Sequence, residues 1–224
     1  FRPWHMRGVI YNEFGEHQKA ILTLEEALRL VAGQPSECVI RSVLAQSRIA
    51  RNEFAEALKV VEPCTGHSQA GALIADCLWQ LGRRDEAQQA LERTQKLGEL
   101  PISARRLQAR IQFEEREFAA AQNILEVLIG EDRADHESEY LMSMVLRQLK
   151  DEEASQIHFK RSEEIQELKT NLTRLSQVAM QEPQNAKVRY DLAAICDNLG
   201  MTKLAKVWRT AAAASGNPSS SSLE

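Results

Sequence analysis

Residues 1–34 read FRPWHMRGVIYNEFGEHQKAILTLEEALRLVAGQ, and this stretch decides the fold. Its apolar residues recur at helical spacing on either side of Gly15, which is the permissive residue expected where a first helix ends. Gly8 and Ala20 fall where the two helices would cross closely, because only a small side chain fits between their backbones. Trp4 is expected to fill space between helices. The stretch therefore predicts a helical hairpin.

The same order of large and small residues recurs along most of the chain, with a period of about 34 residues. It predicts six two-helix repeats near residues 1–34, 38–67, 68–101, 102–135, 136–169 and 186–215. The small residues at the helix crossings are Gly8 and Ala20, Ala45 and Ala57, Ala75 and Ala87, Ala109 and Ala121, Ser143 and Ser155, and Ala205 in the last repeat. Repeat two is short, because Pro63 and Gly66 end its second helix early.

This pattern resembles the tetratricopeptide repeat family, and the resemblance covers the chain to about Ser215. It implies an all-α fold, a right-handed α-solenoid of stacked antiparallel helix pairs that forms a single domain over residues 1–215. It also implies that the first helix of each repeat lines a concave groove in which the family binds peptides or partner proteins.

The groove positions of repeats three to five supply the candidate partner-binding residues. These residues are Asp76, Trp79, Arg106, Arg110, Phe113, Tyr140, Met144 and Arg147. Arginine and aromatic side chains are enriched at binding hot spots, and arginine binds carboxylates through a bidentate fork. An acidic peptide or a C-terminal carboxylate is therefore a natural ligand. The alternative is that the arginines pair with Glu on neighbouring helices and that the aromatic rings fill gaps between repeats.

Residues 164–181 interrupt the regular count of repeats. They carry Ile165, Leu168 and Leu172 at spacings of three and four, and no Gly or Pro separates them from the second helix of repeat five. The pattern predicts one extended helix over residues 151–180, about 45 Å long at 1.5 Å per residue. The alternative is a break near Lys169–Asn171, with Thr or Asn capping a new helix.

Composition and motifs narrow the class of function. A net charge of −4 argues against a general nucleic-acid surface, and no apolar run is long enough to span a membrane. The sequence contains no phosphate-binding loop, nucleophile elbow or zinc-ligand spacing. We therefore expect no catalytic residue, no metal, no cofactor and a non-catalytic scaffold for protein partners. The alternatives are an oligomerisation or structural module and a regulatory region of a larger protein.

The four cysteines are Cys38, Cys64, Cys77 and Cys196, and none forms a C-x-x-C pair. Each lies at or near a small-residue position of its repeat, so packed free thiols are expected, with a structural disulfide as the alternative. Free thiols favour a reducing compartment, and hence the cytoplasm.

The end of the chain carries two further expectations. The last helix has Leu204, Val207 and Trp208, which is apolar for the end of a repeat array, so we expect either a following segment or a homodimer through this helix. Residues 216–224 read as a flexible Ser-rich tail, and its last two residues, Leu-Glu, resemble a remnant of cloning.

Overall fold

The computed structural model describes residues 2–215, and the Ser-rich tail expected at 216–224 lies outside them. Within the described residues the chain forms twelve α-helices, one short 3-10 helix and no strand. The helices are α1 (Arg2–Glu13), α2 (His17–Arg29), α3 (Glu37–Ile49), α4 (Phe54–Val61), α5 (Ser68–Gln80), α6 (Arg84–Lys96), α7 (Ile102–Glu114), α8 (Phe118–Glu131), α9 (His136–Gln148), α10 (Glu152–Gln181), α11 (Ala186–Asn198) and α12 (Thr202–Ser215). The 3-10 helix, Glu62–Cys64, follows α4. The all-α fold class is confirmed.

Two compact units divide the chain, Phe1–Ile111 and Gln112–Glu224, and the division falls inside α7. In the first unit, α2 packs against α3 through a cluster that contains Leu24 and Ile40. A larger cluster joins α4, α5, α6 and the first part of α7 through Val61, Leu73 and Leu107. Each unit therefore has a core built from the apolar stripes of successive helices.

The small residues predicted at the helix crossings are buried. Those from Ala20 to Ala205 are each at most 1% exposed, and Gly8 is buried as well. A Cβ atom on Gly8 would lie 2.5 Å from Cγ of Leu24, so α1 and α2 approach each other too closely for any larger residue. The expectation for Trp4 is wrong, because its side chain is 41% exposed and lies beside the guanidinium of Arg7 rather than in the core.

The turns between paired helices share one backbone conformation. The residue at the turn has a positive φ in every predicted repeat: Gly15 (72°), Asn52 (61°), Gly82 (76°), Arg116 (65°), Lys150 (66°) and Gly200 (74°). Glycine adopts this left-handed conformation without steric cost, whereas a residue with a Cβ atom is strained there. Arg116, which makes the turn of repeat four less typical in sequence, is thus held in the same geometry as the glycines.

The extended helix predicted over residues 151–180 is confirmed as α10, which runs unbroken for 30 residues and excludes a break at Lys169–Asn171. Its first half packs on α9, where Ser155 Oγ donates to the Ser143 carbonyl over 2.8 Å. Its second half packs on the last helix pair, in a cluster that joins Ala179 to Leu192 of α11. The last pair therefore docks farther along α10 than α9 does.

The expectation of four free thiols is wrong for two of them. Cys38 at the start of α3 and Cys64 at the end of the 3-10 helix form a disulfide, with Cα atoms 5.5 Å apart. An antiparallel hairpin brings the start of its first helix next to the end of its second, so the two thiols meet. Cys77 and Cys196 are free and buried. Burial raises the pKa of the Cys77 thiol to about 12.

Candidate binding faces

Asp76 and Trp79 lie on α5, on the side of the helix that is only half-buried. The indole of Trp79 packs against the core of the first unit, and the guanidinium carbon of Arg84 lies 4.3 Å from the ring centroid. This cation–π contact holds a positive charge at the ring face. Asp76 and Arg84 each have further interactions within the protein.

Arg106 and Arg110 lie one turn apart on α7, in the part of that helix that belongs to the first unit. Arg106 is half-buried and has interaction partners within the protein, whereas Arg110 is exposed. Leu107 and Ile111, on the adjacent side of the helix, are buried in the core. The core thus fixes the orientation of α7 and leaves Arg110 accessible to solvent.

Tyr140, Met144 and Arg147 form a stripe along one side of α9, at spacings of four and three residues. Tyr140 is 48% exposed, Met144 is half-buried and Arg147 is exposed. The other side of α9 contributes buried side chains such as Leu141 and Val145. Like α7, α9 thus carries three of the candidate residues, and on α9 all three belong to one unit.

Phe113 has a packing role. It is half-buried near the end of α7, and its ring centroid lies 5.7 Å from that of Phe118 at the start of α8. This tilted aromatic pair spans the turn between the two helices. The alternative from the sequence was that the aromatic rings fill gaps between repeats, whereas the Phe113–Phe118 contact lies within repeat four, between its two helices.

The eight candidates are divided between the two units. Asp76, Trp79, Arg106 and Arg110 belong to the first, and Phe113, Tyr140, Met144 and Arg147 belong to the second. Among the described residues there is no cluster of His, Cys, Asp and Glu suited to a metal ion. No described helix is both long enough and apolar enough to cross a membrane.

Phe159 on α10 was not among the predicted site residues. Its ring centroid lies 6.2 Å from that of Tyr140, and its side chain is 37% exposed. A large apolar residue at helical spacing is typical of packing, so no pattern in the sequence indicates that this ring is exposed. The two rings together form an exposed aromatic pair between α9 and the first half of α10.

Charged residues near the start of the first helix in several repeats were also missed. Glu139 of α9 is buried, and its carboxylate lies 2.6 Å from Nδ1 of His158. Arg41 donates to the carbonyl of Val60 over 3.0 Å, and Arg189 donates to the carbonyl of Ala211 over 2.9 Å. Each contact ties the first helix of a pair to the second. Arg41, Glu139 and Arg189 occupy equivalent positions in their repeats, and this recurrence of charged residues is the signal by which the sequence could have identified them.

Contacts of this kind also shift the pKa of the Glu37 carboxyl group. The backbone N–H of Gly33 donates to it over 2.7 Å, and the guanidinium of Arg41 donates over 2.8 Å. These hydrogen bonds stabilise the charged form and lower the pKa of Glu37. They join the linker before α3 to the helix itself.

Comparison with known proteins supports the fold. Residues 1–30 and 72–97 match the family model described as tetratricopeptide repeat. The search of curated proteins gave no match.

Solved structures resemble the chain at low sequence identity. The anaphase-promoting complex hetero-tetramer Cut9–Hcn1 superposes with a TM-score of 0.59 at 14% identity, over 96% of this chain and 46% of that one. The nearly identical repeats of a Podospora anserina kinesin light chain give 0.50 at 18%, over 74% and 94%. A MamA structure from MSR-1 gives 0.46 at 13%, over 73% and 95%. At these identities the resemblance concerns the fold alone.

Proposed function

We propose that this chain is a non-catalytic scaffold of the tetratricopeptide repeat type, which binds a peptide or a partner protein along the helix faces outside its core. The stripe of Tyr140, Met144 and Arg147 on α9 carries this proposal, since it combines an aromatic ring, a flexible apolar side chain and an accessible cation. The proposal takes residues 1–215 as one repeat domain that binds through the first helices of its repeats.

The favoured ligand is an acidic peptide. Arg110 on α7 and Arg147 on α9 are both exposed, and each can bind a carboxylate through a bidentate fork. In the first unit, Trp79 with Arg84 over its ring would offer an apolar surface next to a positive charge. Asp76 and Arg106 have partners within the protein, so their contribution would be to hold neighbouring side chains in place.

A display library of acidic decapeptides with free C-termini tests this function. A peptide selected on the wild-type protein should bind at least about tenfold more weakly to the variant of the unit that holds it, which is Arg110→Ala for the first unit and Arg147→Ala for the second, because each substitution removes a fork for a carboxylate. Arg93→Ala is the matched control, since Arg93 is also an exposed arginine but lies on α6, a second helix of its repeat. Equal affinity for all four proteins would refute the proposal.

A second proposal concerns the last helix. Leu204 and Val207 are exposed on α12, while Trp208 packs partly into the cluster between α10 and α11. Exposed apolar side chains on one helix favour self-association. If a homodimer forms through α12, Leu204→Glu combined with Val207→Glu should abolish it in analytical ultracentrifugation. An unchanged assembly would exclude α12 as the contact.

A further inference from the structure

The stripe on α9 begins at an aromatic pair that stays open to solvent. Tyr140 on α9 and Phe159 on α10 are both exposed, and their ring centroids lie 6.2 Å apart. Helix α11 packs on α10 only from Ile165 onward, so within the described part of the second unit it does not cover Phe159. The two rings therefore form an apolar platform that a ligand can reach.

Arg147 lies on the same side of α9 as Tyr140, seven residues farther along the helix. At 1.5 Å per residue, the two side chains start about 10.5 Å apart along the helix axis. Met144, which is half-buried, lies between them. Arg147 is exposed and forms no ion pair with any described residue, so its guanidinium can bind a carboxylate from outside. The stripe thus offers an apolar contact and a carboxylate contact at a fixed distance.

Charged side chains of both signs surround this stripe. Those near its Arg147 end are Lys150, Asp151, Glu152 and Glu153, and those near its aromatic end are Glu137, Lys160, Arg161, Glu163 and Glu164. Arg161 pairs with Glu164 over 3.4 Å, and Asp151 accepts a hydrogen bond from the backbone of Ala154 at the N-terminus of α10. Because the two signs nearly balance at each end, local contacts and their spacing would select a ligand, and net charge would not.

The spacing between the two contacts favours one backbone conformation in the ligand. The described residues contain no strand, so a peptide has no sheet edge on which to satisfy its backbone hydrogen bonds. A polyproline II segment needs none, because its amides remain solvated, and its residues i and i+3 lie on one side about 9.3 Å apart. That length is close to the separation of about 10.5 Å along α9. In a β conformation, residues on one side lie about 6.7 or 13.4 Å apart and match less well.

We propose that this stripe binds a peptide in the polyproline II conformation, with a proline on the Tyr140–Phe159 platform and a glutamate or aspartate three residues away on Arg147. The inference rests on the proposed function and adds a conformation and a spacing to it. Proline suits the platform because it has no N–H that would lose its hydrogen bond to water there, and proline-rich segments dock on aromatic surfaces in other protein modules. Its fixed φ also reduces the entropy that the peptide loses on binding.

Fluorescence anisotropy of labelled decapeptides, titrated with the purified 224-residue chain, tests the spacing. Two probes carry Pro-x-x-Glu and Glu-x-x-Pro in an alanine–serine host and so cover both directions of the peptide. Their controls have the same composition but carry Pro-x-Glu and Glu-x-Pro. One of the two probes should bind at least about tenfold more tightly than its control, because only the longer spacing reaches both contacts.

Two variants separate the contacts. Arg147→Ala should abolish the preference of the protein for Glu over Gln in the better probe and keep its preference for Pro over Ala. Phe159→Ala should do the reverse, because it removes half of the platform. Arg174→Ala is the matched control, since Arg174 is an exposed arginine on the second half of α10, away from the stripe, and it should keep both preferences. Circular dichroism checks that each variant is folded.

The outcomes distinguish this inference from the proposed function. Equal binding at both spacings, with a loss of affinity in Arg147→Ala, would overturn the inference and leave the binding of acidic peptides intact. Variants that keep both preferences would overturn it as well. A protein that binds none of the four peptides would also overturn it, and the proposed function would then depend on the peptides selected from the display library.

Discussion

Replacing Cys38 and Cys64 together by alanine should lower the free energy of unfolding by about 3.5 kcal/mol. The disulfide joins residues separated by 26 positions, and closing a loop of that length removes about 12 cal/mol/K of entropy from the unfolded chain. At 298 K this amounts to about 3.5 kcal/mol. The loss of stability should be measurable because α4 has only eight residues, so the hairpin that the disulfide closes contains little helix.

Alanine is a suitable replacement for Cys64. Cys64 is buried next to core residues, and the equivalent positions in the first and last repeats carry Ala27 and Ala212, which are fully buried. A methyl group therefore fits the site, and the loss should come from the missing crosslink rather than from overpacking or an unsatisfied polar atom.

Urea unfolding followed by circular dichroism measures the loss, with and without a reducing agent. Reduction should bring the wild-type midpoint down to that of the double variant and leave the double variant unchanged. Cys77→Ala, which removes a free buried thiol, is the control and should remain sensitive to reduction. A wild type that shows no response to reduction, or four reactive thiols in unreduced denatured protein, would refute this reasoning.

Three further predictions follow from the turns, the helix crossings and the buried thiols. Arg116→Gly should stabilise the protein by roughly 1 kcal/mol, because φ is 65° at this position and glycine adopts that conformation without strain. Arg93→Gly inside α6 should destabilise the protein by a similar amount. Urea titration measures both changes, and a loss of stability in both variants would contradict the prediction. Gly71→Ala should cost roughly 1–3 kcal/mol, because the new Cβ atom would overlap Thr94 Oγ1, and Thr94→Ala should relieve most of that cost in a double-mutant cycle. Strictly additive losses would count against the overlap. Since burial raises the pKa of Cys77 to about 12, an aromatic disulfide reagent at about pH 8 should modify this thiol only after unfolding. Rapid modification of the native protein, followed by absorbance, would contradict the burial.

The helix pairs could be predicted because a local rule determines them. A small residue is required wherever helices cross closely, as at Gly8 and Ala20, and that requirement is readable in one sequence. The continuity of α10 was also predictable, because its sequence has no Gly or Pro between Glu152 and Gln181.

The disulfide and the exposure of the aromatic pair depend on which helices pack together, and a local sequence pattern does not show this. The spacing of Cys38 and Cys64 places them at the start of the first helix and the end of the second helix of one hairpin, which lie side by side, but the same spacing suits two packed free thiols equally well. The exposure of Tyr140 and Phe159 depends on where α11 docks along α10. An apolar stripe shows that a helix is covered without showing by which neighbour, so these residues could be placed on a helix but not on a surface.

The length of α10 has a consequence for how the second unit opens. In a stacked array, neighbouring pairs are coupled only through the side chains between them, and each can exchange its amide hydrogens separately. Here α9 and the last helix pair both pack on the continuous helix α10. Separating α9 from the last pair therefore requires breaking backbone hydrogen bonds in the middle of α10, and the new helix ends formed at that point are costly. The amides of α9, α10 and α11 should therefore exchange with nearly the same opening free energy, as one cooperative segment.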